Sequence, residues 1–222
     1  MQKLSKAEQE RIAQAVQQAE QKTSGEIATA LISQSNDYAV YELLAAVLAG
    51  LIYSMVIIAY SVEIQNWLQG LFWNYQIYYL TGFYLISTFL VILIVYFLAN
   101  LPVIDRLIVP RKVRESWVNR RAWQHFAQSG VGHTKDGTGI LIFISLLERR
   151  VDLLADYGIA QRVAPKMWQQ IVDNVIAGIK SKQMIEKLCE AIVECGELLA
   201  KDFPRQDDDQ NELSDNIVQL DN

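Results

Sequence analysis

Cysteine is scarce: the 222 residues hold two, Cys189 and Cys195. They lie six positions apart on one predicted helix and so on different faces. That excludes a disulfide framework and fits a reduced compartment. Positive charge is also in short supply. The formal net charge is −5, whereas a dedicated nucleic-acid binder is usually basic, so nucleic acid is not an expected partner. The N-terminus is polar and lacks the apolar core of a signal peptide. Charge of either sign is missing altogether from Leu43–Tyr60 and from Tyr78–Leu101.

Those two uncharged runs organise the chain. A helix of ~20 residues covers the ~30 Å hydrocarbon core of a bilayer, and a charge at the bilayer centre costs at least ~2.5 kcal/mol. Two such runs close together predict a transmembrane helical hairpin. The linker Ser61–Ile77 has no Lys or Arg but carries Trp67, Trp73 and Tyr75, residues that favour the headgroup layer. Arg106, Arg111, Lys112, Arg114, Arg120 and Arg121 follow the second run, and Lys3, Lys6, Arg11 and Lys22 precede the first. The positive-inside rule then places both termini in the cytoplasm. The basic stretch has two readings: a surface helix that binds anionic membrane lipid, at ~1 kcal/mol per basic residue, or charges that only set topology.

Around the hairpin the chain is an ordinary soluble sequence. Ser5-Lys-Ala-Glu8 is a capping box opening an amphipathic helix with Ile12, Ala15, Val16 and Ala19 on its apolar stripe. Glu26–Ser33 reads as a strand. One helix and one strand cannot bury a core alone, so their partners must lie beyond the hairpin. There, Lys112–Gln128 is a predicted helix, Ile140–Leu146 an interior strand, Glu148-Arg-Arg150 a charged turn and Val151–Asp156 a second, antiparallel strand. Two amphipathic helices follow, Pro165–Ile179 and Met184–Lys201, with the thiols as small core hydrophobes. The run Asp207-Asp-Asp209 suggests a solvated tail. Leu213, Ile217, Val218 and Leu220 leave room for a short partner-binding motif. The expected organisation is residues 1–38 and 102–205 as the halves of a split domain, 39–101 as the hairpin and 206–222 as an acidic tail.

Catalytic chemistry finds few candidates. The acids Asp136, Glu148, Asp152 and Asp156 are the available metal ligands, but Asp152 and Asp156 lie ~13 Å apart along a strand. Asp136 and Asp156 remain as a candidate metal pair, with a structural cap as the alternative for Asp156. His125 and His133 are not spaced for zinc. No serine sits in a nucleophile elbow. Thr134-Lys-Asp-Gly-Thr-Gly139 lacks a P-loop ending and leads into a strand.

Several stretches resemble the TPM-domain family. These are Thr23-Ser-Gly-Glu-Ile27 before the first strand, Thr134–Gly139 leading into Ile140-Leu-Ile-Phe-Ile-Ser145, Glu148-Arg-Arg-Val151, and Ala155-Asp-Tyr-Gly-Ile159. Cys195-Gly-Glu-Leu-Leu199, Phe203-Pro204 and Asn211-Glu-Leu213 are similar to the bacterial membrane-embedded branch of that family. The resemblance implies an α/β fold, a small mixed sheet flanked by helices, interrupted here by the hairpin. It also implies an assembly or accessory factor for membrane complexes. Together with the hairpin and the lack of a convergent catalytic set, this makes the expectation a multi-pass scaffolding protein of the inner membrane with a membrane-protein partner and no resident cofactor. Some relatives bind calcium or act as phosphatases. They often have an Asp-rich start to the first helix, which reads Leu4-Ser-Lys-Ala-Glu8 here. A weak phosphatase or calcium-dependent hydrolase is therefore the alternative.

Overall fold

The computed structural model describes residues 4–163, 165–206 and 210–221. The chain divides into two compact units, one built from residues up to Asp37 and from Lys112 on, the other from Tyr38–Arg111.

In order, the elements are helix α1 (Lys6–Glu20), strand β1 (Glu26–Ile32), helices α2 (Ala39–Ala59), α3 (Ser61–Leu71), α4 (Ile77–Ala99), α5 (Pro102–Ile108) and α6 (Arg111–Gln128), and a 3₁₀ turn, Val131–His133. Strands β2 (Gly139–Ser145) and β3 (Arg150–Ala155), helices α7 (Tyr157–Ala160), α8 (Pro165–Ser181) and α9 (Met184–Asp202), and strand β4 (Val218–Leu220) complete the chain.

The first unit is built on a mixed four-stranded sheet in the order β3-β2-β1-β4. β2 and β3 form the expected antiparallel hairpin, with Ile140 opposite Ala155 and Ser145 opposite Arg150. β1 joins β2 in parallel, from Glu26 opposite Gly139 to Ile32 opposite Ser145. The pieces before and after the apolar helices thus share one hydrogen-bonded ladder.

All seven residues of β2 are buried, because both faces of the sheet are covered. On one face Ile27, Leu31, Ile140, Ile142 and Ile144 meet the stripes of α1, α8 and α9. The capping box of α1 is present: Ser5 accepts from the Glu8 amide while the Glu8 carboxylate accepts from the Ser5 amide. Gly196 lets α9 approach α1, since a Cβ there would lie 2.7 Å from that of Ala19. Cys195 is fully buried beside it, and burial pushes its thiol far up from the ordinary range. The other face packs Ala30, Ile32, Leu141, Phe143 and Leu154 against Val118, Ala122 and Phe126 of α6. That stripe recurs every fourth residue and defines the inner side of a helix whose basic residues dominate its sequence.

The sequence predicts a solvated tail after Pro204, and the described part of it is corrected here. Val218–Leu220 pairs in parallel with Ala30–Ile32 of β1, and Ile217 enters the core. Burying Ile217 and completing the β1 ladder outweigh the solvation of the neighbouring acids. The charge run Asp207–Asp209 lies outside the described residues.

In the second unit, α2 and α4 pack antiparallel. Gly50 admits Ile92, whose Cγ1 lies 2.4 Å from where a Cβ would sit. One turn further, the Ser54 and Thr88 hydroxyls are 3.1 Å apart. Both helices are long and apolar enough to cross a membrane. Their outer surfaces expose Leu48, Ile52, Met55, Leu85, Ile86, Phe89 and Phe97 by about half or more, far more contiguous apolar area than water-facing surfaces carry. Both connections are partly helical. The linker is helical over Ser61–Leu71, an amphipathic segment with Leu68 buried and Trp67 exposed. Between Pro102 and Pro110 lies a seven-residue helix with Pro102 in its first turn, where a missing amide hydrogen costs nothing.

Candidate functional site

The two candidate acids lie on turns that the sheet brings together. Ile140 and Ala155 are the last paired positions of the β2–β3 hairpin, and the Asp156 amide extends that ladder by donating to the Gly139 carbonyl at 2.8 Å. Just before β2, the chain folds back on itself. The Gly137 amide donates to the Thr134 carbonyl at 3.1 Å, and the Thr138 amide to the Thr134 hydroxyl at 2.9 Å. The Thr138 hydroxyl then donates to the Ser24 carbonyl, 3.1 Å away, which ties this turn to the entrance of β1. Gly137 has φ +65°, the left-handed region that glycine enters without strain.

Asp156 opens α7, where its side chain accepts from the Tyr157 amide at 2.7 Å. The Gly158 amide donates to the Gly137 carbonyl at 3.1 Å. A Cβ at Gly158 would meet the carbonyl oxygens of Gly137 and Asp136 at 2.8 and 3.0 Å, so a glycine is needed for the two turns to touch. An added Cβ on Gly137 would lie 3.7 Å from Asp156 Oδ2. The arrangement therefore sets one carboxylate, from Asp156, beside the backbone carbonyls of the Asp136 turn. Among the described residues no three His, Cys, Asp or Glu side chains converge as metal ligands.

The other acids have structural partners. Asp152 is buried and accepts from Arg150 Nε at 2.8 Å and from Asn119 Nδ2 at 3.2 Å. Arg150 also pairs with Glu115 at 3.1 Å, so this network clamps α6 to β3. Glu148 begins the charged turn between β2 and β3, yet it is buried. Its carboxylate accepts from the Ser145 hydroxyl and, at 3.0 Å, from the Ser35 amide. Ser35 and Ser145 are themselves hydrogen-bonded at 2.9 Å. This buried polar knot at the ends of β1 and β2 is invisible in sequence, because Ser35 lies 113 residues before Glu148 and Glu148 stands next to two arginines. Sequence reasoning also misses Glu212. Its carboxylate accepts from the Lys135 amide at 3.0 Å, while the Leu213 amide donates to Glu26. The C-terminal segment thus straps the turn that bears Asp136.

His133 ends the 3₁₀ turn and is exposed, while His125 lies in the last turn of α6 with its ring 6.4 Å from that of Phe143. Burial lowers the His125 pKa, and the charge of Arg121 lowers it further. The unfolded chain therefore takes up this proton first as pH falls. Stability is whole above the ordinary histidine value of ~6.5 and declines below it, toward the lowered value. The denaturation midpoint of the α/β unit should drop between pH 7.5 and 5.5, and His125→Gln should flatten the drop. An unchanged slope in the variant would refute the assignment.

Residues 104–193 match the model of the TPM domain. A TPM domain is present in this chain, which accounts for the β2–β3 hairpin and the helices on either side of it. The NMR structure of the BA42 protein from the psychrophilic bacterium Bizionia argentinensis is similar in fold, with a TM-score of 0.58 and 19% sequence identity over 98% of this chain and 95% of that one. No curated protein matches the chain.

Proposed function

We propose that this is an integral membrane protein of the inner membrane that presents its TPM domain to the cytoplasm as a binding or scaffolding module for a membrane complex. The carrying observation is the β1–β2 ladder, which closes across two long apolar helices inserted between its strands. An antiparallel pair of spans returns the chain to the side it left, so the insertion is compatible with a closed sheet. The basic residues flanking both spans favour the cytoplasmic side. Crosslinking in living cells, followed by mass spectrometry, should recover the same membrane protein repeatedly. Extraction of the chain by alkaline buffer without detergent would defeat the membrane reading. Repeated recovery of no membrane partner would defeat the scaffolding role.

The meeting of the Asp136 and Asp156 turns favours a second reading, a calcium-dependent phosphate-ester hydrolase. A divalent ion held by the Asp156 carboxylate and turn carbonyls would polarise a phosphoryl oxygen. Calcium should then raise the melting temperature of the parent protein but not of Asp156→Ala, and ester turnover should vanish in the same variant. Absence of a calcium shift in the parent protein would dispose of this reading.

A further inference from the structure

The outer side of α6 is the basic surface left over once the domain has closed. Val118, Ala122 and Phe126 turn inward. Lys112, Arg120 and Trp123, at helical spacing, remain exposed, Trp123 by 50%. Among the described residues neither Lys112 nor Arg120 pairs with a carboxylate. Arg120 instead lies over the Trp117 ring at 4.9 Å, which keeps its guanidinium on this side of the helix. In a chain of net charge −5, α6 holds five basic residues against one acid, Glu115. Such a local reversal of sign attracts an anionic counterpart.

We propose that this side of α6 docks on anionic phospholipid, with Lys112 and Arg120 meeting the headgroup charge and Trp123 as the interfacial anchor. The proposal rests on the membrane reading above. Indole has an apolar body and one polar N–H, which suits the headgroup boundary. Arg111, the first residue of α6, follows closely in sequence on α4, which ends at Ala99. For an anchored chain, docking is intramolecular, so a few charges suffice. Each basic group near an anionic surface contributes about fivefold to the docking equilibrium.

The test uses the full chain in nanodiscs of phosphatidylcholine alone or mixed with phosphatidylglycerol. Trp123 is read as the difference in acrylamide quenching between the parent and Trp123→Phe. Trp123 should be shielded only in the anionic discs, and high salt should remove the shielding. Lys112→Gln with Arg120→Gln should weaken docking roughly 25-fold, with hydrogen exchange across Ile140–Ile144 as the check that the fold is kept. Equal quenching in both discs overturns the proposal, as does shielding that survives the double substitution. If the double variant unfolds, the parent's salt series decides, and salt-independent shielding overturns it. Equal shielding in neutral discs on adding an oligonucleotide would assign the surface to nucleic acid and also overturn it. A chain that fails to enter discs at all defeats the membrane reading itself, which separates the two failures.

Discussion

Gly139→Ala should severely destabilise the α/β unit. A Cβ at this position would lie 2.1 Å from the Val131 carbonyl oxygen and 2.9 Å from Val131 Cγ1. The clash is with backbone, which cannot rotate away as a side-chain tip can. Val131 is fully buried, so it has nowhere to retreat. Gly139 also stands opposite Glu26 in the β1 ladder and accepts from the Asp156 amide, so any shift propagates to both neighbouring strands. Overpacking of this kind costs about 3 kcal/mol or more, a large share of the ~5–15 kcal/mol that holds a domain together. Hydrogen exchange in detergent should show Ile140–Ile144 unprotected in the variant. Gly137→Ala provides the comparison. Its cost is a left-handed φ, at about 1–2 kcal/mol, and the strand should remain protected. Parent-like protection in Gly139→Ala would contradict the close approach of the 3₁₀ turn to β2.

Ile217→Ala should destabilise the same unit by about 3 kcal/mol, the usual cost of truncating a buried isoleucine. Ile217 is 6% exposed and belongs to the core cluster of α1, α8 and α9. It also positions the strand after it, so its loss loosens the pairing of Val218–Leu220 with β1. A residue on a solvated tail would shift stability by no more than ~0.5 kcal/mol. The urea midpoint of the variant, with limited proteolysis after Pro204, separates the two cases. A midpoint equal to that of the parent would return this segment to the tail that its composition suggests.

These two positions mark where the sequence is readable and where it is not. β2 is legible because an unbroken apolar run of strand length has few other fates. The stripes of α1, α8 and α9 are legible because each repeats at helical spacing. Ile217 and its neighbours are visibly apolar, yet the adjacent acids dominate any local reading. Their burial depends on β1, some 190 residues earlier in sequence. The inner stripe of α6 is masked in the same way, since Val118, Ala122 and Phe126 sit among arginines. Glu148 bonds to nearby Ser145 but also to Ser35, 113 residues earlier. For the candidate site, sequence identifies Asp136 and Asp156, but only the pairing of β2 with β3 sets their turns side by side. The clasp of Glu212 on Lys135 is wholly tertiary.

The long interval between β1 and β2 also has a cost during synthesis. β1 leaves the ribosome roughly a hundred residues before the strand that completes its ladder, and at ~5–20 residues per second the wait is about 5 to 20 s. For that time an apolar strand presents bare backbone edges, the template on which misassembly begins. Its other neighbour, β4, follows only about 190 residues after it. Nascent copies emerging side by side would therefore compete to pair their first strands with one another, and crowding on a polysome is the condition under which this architecture is most vulnerable.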